Sequence, residues 1–332
     1  MKTNYIFVLY LIFFSGCQTT QNVGIMPRIK IESKFAFGKE AIDHLVTHCT
    51  VYKIKSVHDP LLKGKLCAFS EDDLFTYQKN LLSAQEKNGR VLWSARPLNL
   101  NHPLQIAPGG REVLAIGKQF WRGKEGDCNV ADSLLIFNNG GKVVNSFDFG
   151  TFILSRSLGT DAQQKLVDPG NICAKGKLPV KLASDVLSFQ KFYSRGNREN
   201  PGYLSLEASI RKLILFDNSL NVVKIHTLYN HYLQSPVQTG DDRLLFYELV
   251  PNEGAFSPQL TEYNLEDRSF QVVYKSPLVV KSPYDCGSIA VVSPDQLYIA
   301  HSACTSKDPA DYFQIELVDL KTHSSKISKV KQ

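Results

Sequence analysis

Apolar and polar residues alternate in short runs along most of the chain, and the runs stop at clusters of Asn, Gly, Asp and Ser. "LLSAQEKNGRVLWSA", "LLIFNNGGKVVNSF", "LILFDNSLNVVKIH", "LTEYNLEDRSFQVVY" and "IELVDLKTHSSKIS" share one form. In each, an apolar strand meets a short turn and a second β-rich strand follows, which predicts a hairpin. With Val91, Val143, Val222, Val272 and Lys326 as equivalent points, the unit recurs at about 50 residues, with one interval of about 79. A further β-rich run precedes each hairpin: "DDLFTYQ", "REVLAIGKQFW", "SDVLSFQKFY", "DDRLLFYELV" and "PDQLYIAHSAC". Two hairpins per unit make a four-stranded blade.

Repetition of such a unit predicts an all-β fold, a β-propeller of five or six four-stranded blades. A β-sandwich is the alternative, and the even spacing favours the propeller. The segment "RIKIESKFAFGKEAIDHLVTHCTVYKIKSV" is expected to supply strands that complete a blade and close the ring. The long interval carries roughly 27 surplus residues, expected in "GTFILSRSLGTDAQQKLVDPGNICAKGKLP" as an insertion or a degenerate half blade.

The N-terminus follows a different pattern. Lys2 precedes an uninterrupted apolar run from Tyr5 to Phe14, and small Ser15 and Gly16 follow. This is the layout of a secretory signal. The run spans roughly 15 Å as a helix, half of the roughly 30 Å hydrocarbon core of a bilayer, so it is too short for a permanent span. The block Phe14-Ser15-Gly16-Cys17 resembles the lipobox of bacterial lipoproteins. That resemblance implies lipidation of Cys17 as the first mature residue, with membrane attachment through the lipid. Gln18 at the next position implies the outer membrane, facing the periplasm. The expected organisation is a signal peptide over 1–16, a lipidated tether over 17–27 and one propeller domain over 28–332.

Export changes the reading of the other cysteines, because disulfides persist outside the cytoplasm. Cys49, Cys67, Cys128, Cys173, Cys286 and Cys304 remain after Cys17, and six cysteines allow fifteen connectivities. Folding "DCGSIAVVSPDQLYIAHSAC" about Pro294-Asp295 is expected to bring Cys286 opposite Cys304. Cys49 and Cys67 are equidistant from His58 in a second expected hairpin, and elimination leaves Cys128 with Cys173. Buried free thiols are the competing reading. No C-x-x-C pair with zinc spacing occurs.

The chain has 332 residues, 43% hydrophobic and 21% charged, and a formal net charge of +6 that falls by one when Lys2 leaves with the signal. Basic residues alternate with acidic ones and form no stripe, so nucleic-acid binding has no support. A monomer is expected. There is no Walker loop, G-x-S-x-G elbow, H-E-x-x-H pair or EF-hand loop, and no metal or other cofactor is expected.

One constellation repeats. "NHPLQIAPGGREVLAIG" and "NHYLQSPVQTGDDRLLFYE" share Asn-His-x-Leu-Gln, setting Asn101, His102 and Gln105 in register with Asn230, His231 and Gln234. Each segment is expected to be the first strand of a blade, which lines the channel of a propeller, so both histidines could converge on one polar site. Neutral imidazole serves as base, nucleophile or ligand. The plainer account is that these side chains hydrogen-bond the blade backbones and recur because the blades recur.

The histidine before a strand, then the "APGG" turn, "LLIFNNGGKVV" and "TEYNLED", looks like the arylsulfotransferase-type propellers of bacteria. The resemblance spans roughly residues 90–275. It implies that a channel histidine, His102 or His231, is transiently sulfated and passes the group to a phenol. At the next equivalent position the chain carries Cys286. Two functions follow as expectations. The first is an envelope-anchored propeller that binds or scaffolds a protein, a glycan or a small anionic or aromatic ligand. The second is a sulfotransferase-like enzyme.

Overall fold

A computed structural model describes Met26, 28–32, 44–47, 50–53, 65–69, 73–78, 81–86, 88–96, 99–100, 105–106, 112–123, 126–157, 186–195, 199–208, 211–228, 231–280, 285–303 and 314–329. Strands β1 (His44–Thr47) and β2 (Thr50–Lys53) pair only with each other. Five antiparallel blades follow. Blade 1 holds β3 (Lys65–Phe69), β4 (Asp73–Gln78), β5 (Leu81–Glu86) and β6 (Val91–Ala95). Blade 2 opens with two short pieces, β7 (Asn99–Leu100) and β8 (Gln105–Ile106). It continues with β9 (Glu112–Gly123), β10 (Gly126–Asn138) and β11 (Val143–Asp148). The helix α1 (Phe149–Ser157) intervenes. Blade 3 holds β12 (Val186–Phe192), β13 (Gly202–Glu207), β14 (Lys212–Phe216) and β15 (Val222–Thr227). Blade 4 holds β16 (Leu233–Gly240), β17 (Arg243–Asn252), β18 (Ala255–Asn264) and β19 (Phe270–Lys275). Blade 5 holds β20 (Asp285–Ser293), β21 (Gln296–Ala303), β22 (Gln314–Asp319) and β23 (Ser324–Lys329). The protein is an all-β propeller of five four-stranded blades.

Four of the five third-to-fourth turns share one side-chain motif, and in the blade 1 turn Asn88 Oδ1 accepts from the Arg90 amide instead. The oxygen of Asn138 accepts from the Gly140 and Lys142 amides, and Asp217 accepts from Ser219 and Asn221. Asn264 accepts from Glu266, and Asp319 from Lys321 and Thr322. Such side chains complete a turn by bonding backbone amides just downstream. Each turn then passes a residue at positive φ: Gly89, Gly141, Leu220, Arg268 and His323.

Two features differ from the expectation. "SDVLSFQKFY" is the first strand of blade 3, not its second; the second is β13, "GYLSLE". Both are apolar runs of similar length, and the acidic residue that introduces a second strand elsewhere also stands before β12. The N-terminal strands complete no blade, since β1 and β2 form their own sheet. Of the surplus segment between β11 and β12, α1 is the described part, and residues 158–185 lie outside the described residues. The first turn of α1 is capped by Asp148, which accepts from the Gly150 amide at 2.8 Å.

Four cores lie between neighbouring blades. Phe75, Leu82, Val113 and Phe137 join blades 1 and 2, while Leu114, Phe189 and Phe216 join blades 2 and 3. Leu206, Leu244 and Phe246 join blades 3 and 4, and Leu245, Tyr247, Ile299 and Val318 join blades 4 and 5. Each fully buried side chain of this size stabilises by about 1.5–3 kcal/mol relative to exposure, so blade-to-blade faces dominate the fold. The segment 28–32 enters the last core: Ile29 and Ile31 are buried in it. The Ile31 amide donates to Pro294 O at 2.8 Å and the Glu32 amide to Thr239 O at 3.0 Å. Backbone bonds from Leu265 to Asp242 and from Leu320 to Asp295 tie the first-to-second and third-to-fourth turns together. These turns mark one end of the propeller, the turn end, and segment 28–32 sits there. Second-to-third turns and blade connections mark the other, the loop end.

Candidate functional site

His231 stands at the loop end, two residues before β16. Its ring stacks on Phe270 with centroids 4.0 Å apart and planes 20° from parallel. Nδ1 lies 2.5 Å from Oε1 of Glu248 on β17. That carboxylate is buried. Its second oxygen accepts from Gln259 Nε2 at 2.7 Å and from Thr261 Oγ1 at 2.5 Å. In the neutral tautomer that carries its proton on Nδ1, the ring donates to this carboxylate and the lone pair lies on Nε2. Among the described residues Nε2 has no hydrogen-bond partner.

Beside it, Tyr232 is 42% exposed although it is a large aromatic residue. The Arg211 guanidinium stands 5.5 Å from its ring centroid, and Phe256 meets it edge-on at 6.4 Å. A cation and an exposed aromatic ring thus adjoin at the junction of blades 3 and 4, while the imidazole of the preceding residue faces Glu248 and Phe270. The chain reverses nearby through Glu253 and Gly254, both at positive φ, the conformation of the tight hairpin turns.

Gln234, the last residue of the repeated motif, has another role. Its Oε1 accepts from the Gly287 amide at 2.8 Å, and Ser235 Oγ accepts from the Ile289 amide at 3.0 Å. These bonds join the first strands of blades 4 and 5. Gln105 is on β8 and Gln234 on β16, each in the first position of its blade as expected. Their registers differ: Gln105 is opposite Leu114, two residues into β9, whereas Gln234 is opposite Tyr247, four residues into β17. The shared five-residue motif therefore does not superpose: β16 has register shifts between Gln234 and Val237 and between Gln238 and Gly240, after the motif and before the turn. His102, Asn101 and Asn230 lie outside the described residues, as do Cys17, Cys49, Cys173 and Cys304. Cys67 is on β3, which pairs with β4, and the turn expected at His58 lies outside the described residues. Cys128 is on β10. The hairpin about Pro294-Asp295 forms, but a bulge between Val291 and Ser293 shifts its register and puts Cys286 opposite Ser302.

A buried network between blades 4 and 5 escaped the sequence reading. Glu316, with no exposed surface, accepts from Tyr274 OH at 2.5 Å, Ser276 Oγ at 2.7 Å and Ser325 Oγ at 2.7 Å, and pairs with His301 Nε2 at 2.9 Å. Burial raises its pKa, and the four hydrogen bonds outweigh that and hold it down to about 2. The signal was a carboxylate at an inward position of "IELVDL" and a histidine inside "YIAHSA". In the adjoining seam His226 is buried against Tyr263 OH at 2.8 Å, and burial, then Lys224 and Arg268, push it down to about 4. No group of three or more His, Cys, Asp or Glu able to hold a metal occurs among the described residues, and no described helix is long and apolar enough to cross a membrane.

The sequence matches no family model and no curated protein. Among solved structures it is similar to a protein of unknown function from Bacteroides caccae, at 12% identity and a TM-score of 0.42, covering 85% of this chain and 89% of that one. It is also similar to the β-propeller domain of Vanderwaltozyma polyspora Nup133, at 11% identity and 0.40, covering 80% and 85%. A third is an oligogalacturonate lyase in complex with manganese, at 7% identity and 0.45, covering 83% of this chain and 66% of that one.

Proposed function

We propose that this chain is a bacterial envelope lipoprotein, anchored through Cys17, whose propeller binds a small anionic or aromatic ligand, or a partner presenting such a group. The observation that carries the binding reading is the Arg211–Tyr232 pair, a cation beside a ring that is 42% exposed. Arginine and aromatic faces recognise anions and rings through hydrogen bonds and stacking. The anchoring rests on the apolar run and the Ser-Gly-Cys block at residues 5–17.

Phenyl sulfate carries both features and is the probe. Calorimetric titration of the parent gives saturable binding, and Tyr232→Ala or Arg211→Ala weakens it by about tenfold or more, the loss expected for one stacking or charge-assisted contact. Absence of binding, or equal binding by both variants, overturns the site.

A second reading is a sulfotransferase-like enzyme, favoured by the His231–Glu248 pair. With Nδ1 held by a buried carboxylate, Nε2 is the nitrogen that would attack sulfur, displacing the phenolate of the donor and later giving the sulfuryl group to an acceptor phenol. Transfer from a nitrophenyl sulfate to phenol, abolished in His231→Ala, is its test; no transfer by the parent removes the enzyme and leaves binding.

A further inference from the structure

Five fourth strands begin at the turn end, and in blades 1 to 3 they begin with exposed aliphatic side chains. Val91-Leu92 open β6 and Val143-Val144 open β11, and in β15 exposed Val223 follows half-buried Val222. Val144 is 54% and Val223 67% exposed. Trp93 packs under Gly141, where a Cβ would stand 2.4 Å from Cε3, so the aliphatic groups of blades 1 and 2 lie close together. Apolar groups recurring at one level of a surface mark a contact.

The same end receives segment 28–32, which lines a shallow cleft with Asp295 and Lys321. Arg28, Lys30 and Lys321 are exposed there, with Lys142 exposed beside the aliphatic pair of blade 2. Carboxylates stand at this end too, Glu86, Asp217, Glu266, Asp267, Asp295 and Asp319 among them, so the cations of the cleft act locally and not through a net positive charge of the face.

We infer that the turn end is a membrane-docking face, seated on an anionic leaflet with its aliphatic side chains at headgroup depth and its cleft cations on lipid phosphates. This rests on the lipoprotein reading of Cys17. Ten residues, Gln18 to Pro27, separate Cys17 from Arg28. Ten residues reach at most about 33–36 Å when fully extended, and β17, with ten residues, itself spans about 33 Å. The tether reaches the membrane with slack from the turn end and only near full extension from the loop end. The loop end, with Arg211, Tyr232 and His231, then faces away from the bilayer. Aliphatic insertion and basic side chains act together at such interfaces, and each basic group near an anionic surface adds about a fivefold preference.

The test uses full-length protein purified from membranes and placed in phosphatidylglycerol-rich vesicles. Amine acetylation is read by peptide mass spectrometry, with exposed Lys275, at the loop end of β19, as internal reference. Docking lowers acetylation of Lys30, Lys142 and Lys321 relative to detergent solution while Lys275 is unchanged, and high salt or Val144→Asp with Val223→Asp restores it. Both valines are exposed, so the variant folds. Lipidated Cys17 with equal labelling of all four lysines overturns the docking face and leaves the anchor intact. An unmodified Cys17 overturns the anchor and the docking face with it.

Discussion

The ring of Tyr247 occupies the space where a side chain on Gly287 would stand: a Cβ there would lie 2.1 Å from Cδ1. Gly287 is on the first strand of blade 5 and Tyr247 on the second strand of blade 4, so the contact sets how closely two blades approach. Tyr247 is fully buried and its hydroxyl reaches His301 Nδ1 at 3.3 Å. The ring cannot swing away without breaking into the core around Ile299 and Val318. Gly287→Ala is therefore expected to lower the unfolding free energy by about 1–3 kcal/mol, the usual cost of overpacking. A urea midpoint unchanged within error would show that the seam has room to relax.

Acid should open the same seam. Glu316 titrates at about 2 in the folded protein against 4.5 when free. A carboxylate with a depressed folded pKa contributes stability above its unfolded value, and that contribution disappears as pH falls from about 4.5 toward 2. The size is on the order of 3 kcal/mol. His226 acts earlier. Its folded value of about 4, against 6.5 when free, means that the unfolded chain binds the extra proton, so stability falls between about pH 6.5 and 4. Urea midpoints across pH should show both declines. Glu316→Gln should flatten the lower one, and His226→Phe the upper one while keeping the lower; a parent curve level from pH 6.5 to 3 would contradict both assignments.

The five third-to-fourth turns offer a paired test. Arg268 is exposed at φ 63, a left-handed conformation that disfavours a side chain by roughly 1–2 kcal/mol. Arg268→Gly should raise stability by about 0.5–1 kcal/mol. Gly141, at φ 73, also has Trp93 against it, so Gly141→Ala should cost more than strain alone. Thermal midpoints moving in opposite directions are the expected result. Shifts of the same sign would mean that the two turns do not share one geometry.

These turns also show why the blades were legible and the site was not. Asn138, Asp217, Asn264 and Asp319 act within a few residues of themselves, so the hairpins and their repeat can be read from local pattern, including the turn at Pro294-Asp295. Register across blades depends on bulges with no local mark. The register shifts within β16 set Gln234 two positions further along its partner strand than Gln105, and the bulge before Ser293 moves Cys286 opposite Ser302. Glu316 and His301 lie on strands whose alternation looks ordinary, and only the facing blade supplies Tyr274 and Tyr247. Arg211 and Tyr232 come from different blades, so no segment could announce their meeting.

Gln234 decides between the two accounts of the repeated motif. Its Oε1 accepts from the Gly287 amide, placing it in the seam that Tyr247 closes. Removing that acceptor costs about 1–3 kcal/mol for a backbone donor in a part-buried site. Hydrogen exchange is the sharper readout, because local opening is measured residue by residue. In Gln234→Ala the amide of Gly287 should exchange faster than in the parent. The Ile289 amide, held by Ser235, should change less, and amides of blade 2 should not change. Phenyl sulfate affinity, which depends on Tyr232 and Arg211 at the other side of blade 4, should be unaffected. Faster exchange with unchanged affinity assigns Gln234 to the blade seam. Unchanged exchange with weakened affinity would place it in the ligand site and make the bond to Gly287 incidental.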